Sequence, residues 1–381
     1  MKPIYLYVTP FFPSAECWRG GFSLDSVKAI IKEGEYDVKV MTAGDGDDYE
    51  YDGVRVCRFS RVQLPCTLAP FLTESTNRRR FRKALERIGI KPQDIAICHV
   101  NQMMYAEYGA EVKRLNPTAT VKLQHHFQYP VHVASGRLGV IPFHATLLYF
   151  HWRRLCELMD VHAFVGERSR DTFWMTVGKN GTDMPLQRRL LFGSLFRPVK
   201  PPVSVIEHIQ INRDIFLDKG RVAHEGFAIG CAANFQPLKD QITLIKAVEC
   251  VVKKGMDDIR LRLVGSGAMR KMCERYVREN NLSSVVSFED ERPHREMPDF
   301  YRELDLFVLP SRRESYSAVL AEAYACGTPI LMCCEDCGFA ETLPTDVLKK
   351  CAVPPGDVSA LADRISECIE NVANGRSGFQ E

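Results

Sequence analysis

The second half of the chain alternates between short apolar runs and longer amphipathic stretches. The apolar runs predict buried strands at residues 227–233, 260–264, 285–288, 305–309, 329–333 and 350–353. The stretches between them predict helices that begin near Asp240, Ala268, Pro293, Ser317 and Asp357. Strands that alternate with helices in this way form a parallel sheet covered by helices. The pattern therefore predicts a complete doubly wound α/β domain.

The first half alternates less regularly but indicates the same class of fold. Its apolar runs predict strands at residues 4–9, 36–42, 94–100, 120–124 and 161–165. Prolines and charges interrupt both periodicities between the halves, so we place a linker at residues 206–224. The prediction is two facing Rossmann-like domains, residues 1–205 and 225–381, with a ligand cleft between them.

The composition is that of an ordinary folded protein. The chain has 381 residues, of which 45% are hydrophobic and 26% are charged. A formal net charge of +2 is too small to favour nucleic acid as the main partner, so a small ligand is expected. No apolar run reaches the roughly 20 residues of a membrane helix, and no export signal is evident, which favours a cytoplasmic protein.

Fourteen cysteines are scattered through apolar segments of the chain. A protein of this size needs no disulfide framework, so reduced thiols are expected. The tightest group is Cys333, Cys334 and Cys337, which lacks a second pair of ligands at the spacing of a zinc site. We therefore predict neither a metal site nor a cofactor.

The segment that most strongly indicates a functional site contains two glutamates. Glu314 follows the strand that ends before Pro310, and Glu322 lies in the next helix, which stops at Gly327. Free N–H groups at the start of this helix would suit a diphosphate, and they belong to Ser315, Tyr316 and Ser317. Composition alone also allows a simpler interpretation, since glutamates on helices are mostly solvated.

The whole string from Pro310 to Pro329 resembles the signature of retaining nucleotide-sugar glycosyltransferases of family four, which have the GT-B fold. The resemblance implies transfer of a hexose-type sugar from a nucleoside-diphosphate sugar. It implies that Glu314 holds hydroxyls of the donor sugar and that Glu322 accepts the ribose hydroxyls. An ionised carboxylate can accept two such hydrogen bonds at once.

The resemblance extends over most of the second half. Lys239 matches the family lysine that neutralises the diphosphate, whereas Asn234 stands where an arginine is common. Gly265 and Gly267 resemble the family's glycine turn between a strand and a helix. Lys239 and the helix amides would then carry the phosphate charge in place of a metal ion.

The first half resembles the family at two short segments. Gly21, the second residue of a glycine pair after the first strand, would let donor phosphates or the acceptor approach backbone amides. His125 and His126 follow the fourth predicted strand, where family members carry a histidine that faces the reaction centre. We assign this role to His125, which would orient the sugar or the acceptor.

The acceptor is a saccharide or a lipid-linked saccharide by the same resemblance, with a role in cell-surface polysaccharide synthesis. The basic stretch at residues 77–85 fits a contact with anionic lipids at the inner face of the membrane as well as it fits a solvated helix face. Two alternatives stay open: a nucleotide-sugar epimerase, and a binding subunit without turnover. Asn234 is the reason for the second alternative.

Overall fold

A computed structural model describes residues 2–15, 17, 20–64, 69–126, 151–177 and 203–374. The chain divides into two compact units, Met1–Ile209 and Gln210–Glu381. The division lies inside the segment 206–224 that the sequence marks as a linker. Each unit contains its own sheet and its own hydrophobic core. Among the helices of the described ranges, none combines the length and apolar character needed to cross a membrane.

The sheet of the first unit has eight strands in the order β3-β4-β2-β1-β5-β6-β7-β8. The strands are β1 Ile4–Thr9, β2 Asp37–Ala43, β3 Tyr49–Tyr51, β4 Val54–Phe59, β5 Ile95–Asn101, β6 Thr120–His125, β7 Val161–Phe164 and β8 Val203–Ile206. All pairings are parallel except that of β3 with β4. The sequence pattern does not predict β3, β4 or β8, because these are a short hairpin and a largely exposed edge strand.

Helices cover the first sheet, and both faces of its central strand are buried. The helices are α1 Gly21–Glu33, α2 Ala69–Arg87, α3 Ala106–Leu115 and α4 Glu167–Val177. On β1, Leu6 and Val8 contribute to one core cluster, and Tyr5 and Tyr7 contribute to another. A strand buried on both faces is a continuous apolar run, which is why the sequence predicts β1 with correct bounds.

The second unit has five parallel strands in the order β11-β10-β9-β12-β13. The strands are β9 Phe227–Ala232, β10 Ile259–Val264, β11 Val286–Glu289, β12 Leu306–Leu309 and β13 Ile330–Met332. The helices are α5 Gln241–Lys253, α6 Arg270–Glu279, α7 Met297–Arg302, α8 Ala318–Ala325, α9 Thr345–Cys351 and α10 Val358–Ala373. The helices predicted from the sequence begin within a few residues of these positions.

The predicted strand at residues 350–353 is wrong. Helix α9 continues to Cys351, and Ala352 then forms a single parallel bridge with Met332. Val347 and Cys351 are both buried and lie four residues apart, so they share one face of this helix. The apolar residues at the end of this segment fit the period of a strand, whereas the buried positions follow the period of a helix.

Strand order reverses once in each sheet, between β1 and β5 and between β9 and β12. In open α/β sheets, ligands bind outside the carboxyl ends of the strands at these switch points. Thr9 and Asn101 lie at this position in the first unit. In the second unit, the loops after β9 and β12 carry Lys239 and Glu314.

Asp357 caps α10, the last helix of the described chain. Its Oδ1 accepts a hydrogen bond of 2.9 Å from the backbone N–H of Ala360. Substitution Asp357→Ala should lower the free energy of unfolding by about 1 kcal/mol, because this N–H loses its partner. Urea denaturation measures the loss. Asp357→Asn keeps the acceptor and should lose less, so equal losses in the two variants would contradict the capping role.

Candidate functional site

Two glycines after β10 pack closely against the segment that follows β9. Gly265 and Gly267 have positive φ angles of 138° and 143°. A Cβ atom would lie 2.4 Å from the carbonyl oxygen of Ala233 at the first position and 2.5 Å from that of Phe235 at the second. The turn therefore needs glycine both for its backbone conformation and for its close contact with the segment that contains Asn234.

The loop after β9 is also tied to the helix that follows it. Gln241 Nε2 donates hydrogen bonds to the carbonyl oxygens of Ala233 and Asn234, at 3.3 and 3.1 Å. The backbone N–H of Lys239 donates to the carbonyl of Gln236 at 3.0 Å. These hydrogen bonds involve main-chain atoms of the loop and stabilise its backbone conformation. The positions of its side chains therefore follow from that conformation.

Lys239 and Glu314 meet at the switch point of the second sheet. Lys239 Nζ lies 2.5 Å from Glu314 Oε1, and the two side chains are 25% and 10% exposed. A second ion pair joins the same two loops, from Arg312 Nε to Asp240 Oδ2 at 2.7 Å. The structure thus places a predicted cation and a predicted carboxylate of the site side by side.

Main-chain hydrogen bonds attach the loop at residues 314–317 to the loop after β13. The N–H of Gly338 donates to the carbonyl of Ser315 at 2.9 Å, and that of Phe339 donates to Tyr316 at 3.0 Å. The N–H of Glu314 donates to Cys334 Sγ at 3.3 Å. Burial raises the pKa of Tyr316 to about 12, so its phenol stays neutral at physiological pH.

Ser317 precedes helix α8 in an unusual conformation. Its φ angle is 76°, although it has a side chain, and its carbonyl accepts hydrogen bonds from the N–H groups of Leu320 and Ala321. Its hydroxyl is buried and has no hydrogen-bond partner within the described part of the chain. Strained backbone and unpaired polar atoms are concentrated at ligand sites. Both features thus favour ligand binding at the start of α8.

Glu322 is buried and held by two side chains. Tyr301 Oη donates to Glu322 Oε2 at 2.7 Å, and His294 Nε2 lies 3.3 Å from Oε1. Burial raises the pKa of Tyr301 well above its ordinary value, with a further contribution from the charge of Glu322, so the phenol keeps its proton and donates. Tyr301 and His294 come from segments that precede β12. The sequence has no motif that identifies either residue.

The prediction that His125 faces a cleft is corrected by the structure. His125 is 0% exposed, and its ring stacks on Phe164 with centroids 4.4 Å apart. Its Nε2 forms a hydrogen bond of 2.8 Å with His162, and burial lowers its pKa well below the ordinary value. Side chains alternate along a strand, so His125 shares the core face of β6 with Val121 and Leu123.

His126, the next residue, lies at the carboxyl end of β6 and reaches the switch point of the first sheet. Its Nε2 is hydrogen-bonded to Asn101 Oδ1, and its ring centroid is 4.8 Å from that of Phe22 on α1. Gly21 begins α1, directly after Gly20 with a φ angle of 94°. The structure therefore brings the predicted glycine pair together with His126, and the alternation within β6 is the signal that distinguishes the two histidines.

The other acidic and basic segments have structural partners. Arg78 and Arg82 of the basic stretch 77–85 both pair with Glu111, a buried residue of α3. Asp48, in the turn between β2 and β3, accepts a hydrogen bond of 2.9 Å from Arg87. These contacts account for charges that the sequence alone leaves unexplained.

Within the described ranges, no cluster of three or more His, Cys, Asp or Glu side chains could hold a metal ion. Cys334 donates to Asp336 Oδ1 at 3.2 Å. The hydrogen bond to Cys334 raises the pKa of the Cys337 thiol, and burial adds to the effect. Cys337 is therefore a thiol, and Cys334 supports the loop through its contact with the N–H of Glu314.

Residues 226–371 match the protein family described as glycosyl transferases group 1. The chain is 33% identical over 104 residues to the D-inositol 3-phosphate glycosyltransferase of Thermobispora bispora. That match covers 25% of the present chain and 24% of the relative, so the similarity spans about a quarter of the relative's length.

Solved structures resemble the chain over nearly its whole length. Sucrose-phosphate synthase of Thermosynechococcus elongatus has a TM-score of 0.72 at 18% identity, covering 100% of this chain and 92% of the other. HepE of Anabaena, in complex with UDP and glucose, has a TM-score of 0.69 at 15% identity, covering 99% and 92%. At this identity the likeness shows the fold, and the predicted GT-B class of two Rossmann-like domains is confirmed.

The hydrogen bond between Tyr301 and Glu322 can be tested by stability. Substitution Tyr301→Phe should lower the free energy of unfolding by about 1 to 3 kcal/mol, because a buried carboxylate loses a donor. Urea denaturation measures the change. Tyr276→Phe is the matched control, since Tyr276 Oη donates to Glu249 at 2.6 Å where both residues are partly exposed. Equal losses would show that burial of Glu322 adds nothing to the bond.

Proposed function

Because residues 226–371 belong to the group 1 glycosyl transferases, we propose that the protein transfers a hexose-type sugar from a nucleoside-diphosphate sugar to a saccharide or lipid-linked saccharide. The observation that carries the proposal is the contact between Lys239 and Glu314 at the switch point of the second sheet. By resemblance to family four, the anomeric configuration is retained and no metal ion takes part.

The reaction first requires stabilisation of the negative charge on the leaving diphosphate. As the glycosidic bond loosens, negative charge grows on the leaving diphosphate, and preorganised donors stabilise it. Lys239 supplies the cation, and the first N–H groups of α8 supply the positive end of a helix dipole. The Ser317 hydroxyl donates to a phosphate oxygen, which gives this buried group the partner that the described protein residues do not provide.

The donor's sugar and ribose are bound by the two glutamates. Glu314 accepts hydrogen bonds from hydroxyls of the transferred sugar, with Lys239 beside it as the counter-charge. Glu322 accepts the ribose hydroxyls. A carboxylate has roughly four acceptor positions, and Tyr301 and His294 occupy two of the carboxylate's contacts. The remaining capacity is enough for a pair of adjacent hydroxyls.

Uridine diphosphate glucose is the first donor to test, because HepE, a structural neighbour, was solved with UDP and glucose. We place the protein at the cytoplasmic face of a membrane, in the synthesis of a cell-surface polysaccharide. The basic stretch 77–85 would contribute to that location only through arginines beyond those paired with Glu111.

A binding subunit without turnover is the second candidate. Asn234 favours it, because this amide replaces the arginine that commonly shares the phosphate charge with the lysine. In that case the site would bind a nucleotide sugar without releasing the nucleotide. Turnover therefore separates the two functions.

A panel of nucleotide sugars should raise the melting temperature of the protein when the correct donor is present, because a ligand of the native state stabilises it. The stabilising donor is then incubated with saccharide acceptors, and nucleotide release is measured. Glu314→Gln should lower kcat by about 100-fold, since a group that acts in the transition state is lost.

Glu249→Gln is the control, because Glu249 lies on α5 and contacts Lys253 and Tyr276 rather than the site. It should leave nucleotide release unchanged. Wild-type kcat in Glu314→Gln would contradict the proposed role of Glu314. Donor binding without release for every acceptor would support the binding subunit.

A further inference from the structure

A buried polar cluster lies at the switch point of the first sheet. Asn101 Nδ2 is 2.7 Å from Tyr7 Oη and 3.1 Å from Ser23 Oγ, and Asn101 Oδ1 contacts His126 Nε2. Tyr7, Ser23 and Asn101 are all nearly inaccessible to solvent. We call these four residues the Asn101 cluster. They come from β1, α1, β5 and the end of β6.

The orientation of the Asn101 amide decides which nitrogen of His126 carries the proton. A hydroxyl can donate or accept, whereas the amide nitrogen only donates and the amide oxygen only accepts. With its nitrogen facing the hydroxyls of Tyr7 and Ser23, Asn101 presents its oxygen to His126 Nε2. That contact requires an N–H, so Nε2 is the protonated nitrogen.

The second nitrogen of His126 is then a hydrogen-bond acceptor. Burial lowers the pKa of His126 to about 3, so the imidazole is neutral at physiological pH and has a single N–H. His99 and His125 interact electrostatically with His126, and burial lowers the pKa of each well below the ordinary value. Burial raises the pKa of Tyr7, whose hydroxyl contacts Asn101, so none of the three adds charge. Nδ1 of His126 therefore has an available lone pair.

Nδ1 of His126 is buried and has no hydrogen-bond partner among the described residues. A buried acceptor without a donor is unfavourable, and such groups in native proteins usually have a ligand or water as partner. The ring also contacts Phe22, one residue from the start of α1. The unpaired lone pair thus lies at the position where an open α/β sheet binds its ligand.

We propose that Asn101 is a positioning residue that holds His126 in the Nε2–H tautomer, so that Nδ1 accepts a hydrogen bond from a hydroxyl of the substrate sugar. The identity of the ligand rests on the proposed function. The tautomer itself does not, because the Asn101 cluster sets it in the protein alone. The two ideas can therefore fail separately.

The tautomer is measured by long-range proton–nitrogen correlation spectra of protein with ¹⁵N-labelled histidine, without ligand, at pH 7. The His126 signals are assigned as those that disappear in His126→Gln. We expect a protonated Nε2 and an unprotonated Nδ1 in the wild type. Asn101→Leu should convert this state into a mixture of both tautomers. A protonated Nδ1 in the wild type, or an unchanged tautomer in Asn101→Leu, would overturn the proposal.

Tyr5→Phe is the matched control for lost stability. It removes a buried hydroxyl from the same strand as Tyr7, one that is hydrogen-bonded to His99 at 2.9 Å instead of to Asn101. Its melting temperature should fall, but the tautomer of His126 should not change. If Tyr5→Phe disturbs the tautomer as much as Asn101→Leu does, the effect is general loosening and the positioning role is refuted.

A second experiment uses Asn101→Asp and UDP-glucose as the probe. The carboxylate still accepts from Nε2–H but raises the pKa of His126, because a nearby negative charge favours the imidazolium. Below that raised pKa, Nδ1 is protonated and cannot accept. The acid limb of the kcat profile should therefore move to higher pH, with near wild-type kcat above it and an approximately 10-fold loss in Asn101→Leu at all pH values.

UDP-glucose should also shift the Nδ1 signal of His126 in the wild type. If the probe raises the melting temperature but leaves this signal unchanged, the sugar contact is refuted while donor binding stands. An unmoved pH profile in Asn101→Asp would likewise refute the control of His126 by Asn101. The NMR results are independent of whether Glu314 acts as proposed, whereas the pH profile requires turnover.

Discussion

The contact between Lys239 and Glu314 depends on the parallel pairing of β9 with β12. These neighbouring strands are far apart in the sequence, yet their loops leave the sheet at the same edge. A cation and a carboxylate from two distant segments thereby become close neighbours. An ion pair between Arg312 and Asp240 joins the same two loops. The sheet thus brings the loops together, and the two ion pairs stabilise their contact.

Residues that follow strands were predictable from the sequence, while their supporting contacts were not. Glu314, the glycine turn and Lys239 lie between strand ends and helix starts, where the local pattern identifies them, and Glu322 lies within the helix that follows Glu314. Tyr301 and His294 support Glu322 from a helix and a turn that carry no motif. Such long-range contacts follow from packing, which periodicity does not encode.

The two histidines after the fourth predicted strand show that a difference of one residue can decide whether a site residue is predicted correctly. Both residues end the same apolar run, but one side chain enters an aromatic core and the other reaches the switch point. The twofold alternation of a strand separates them once its exact end is known. Strand ends are the least certain part of a sequence pattern, as the helical segment at 350–351 also shows.

Main-chain bonds between the loop at residues 314–317 and the loop after β13 have a consequence for how this loop tolerates substitution. Ser315 and Tyr316 accept hydrogen bonds from the backbone N–H groups of Gly338 and Phe339, so the attachment is independent of which side chains those positions carry. Substitution there can change the side chains of the loop without releasing the start of α8. The side chains at these positions can thus vary on an unchanged backbone.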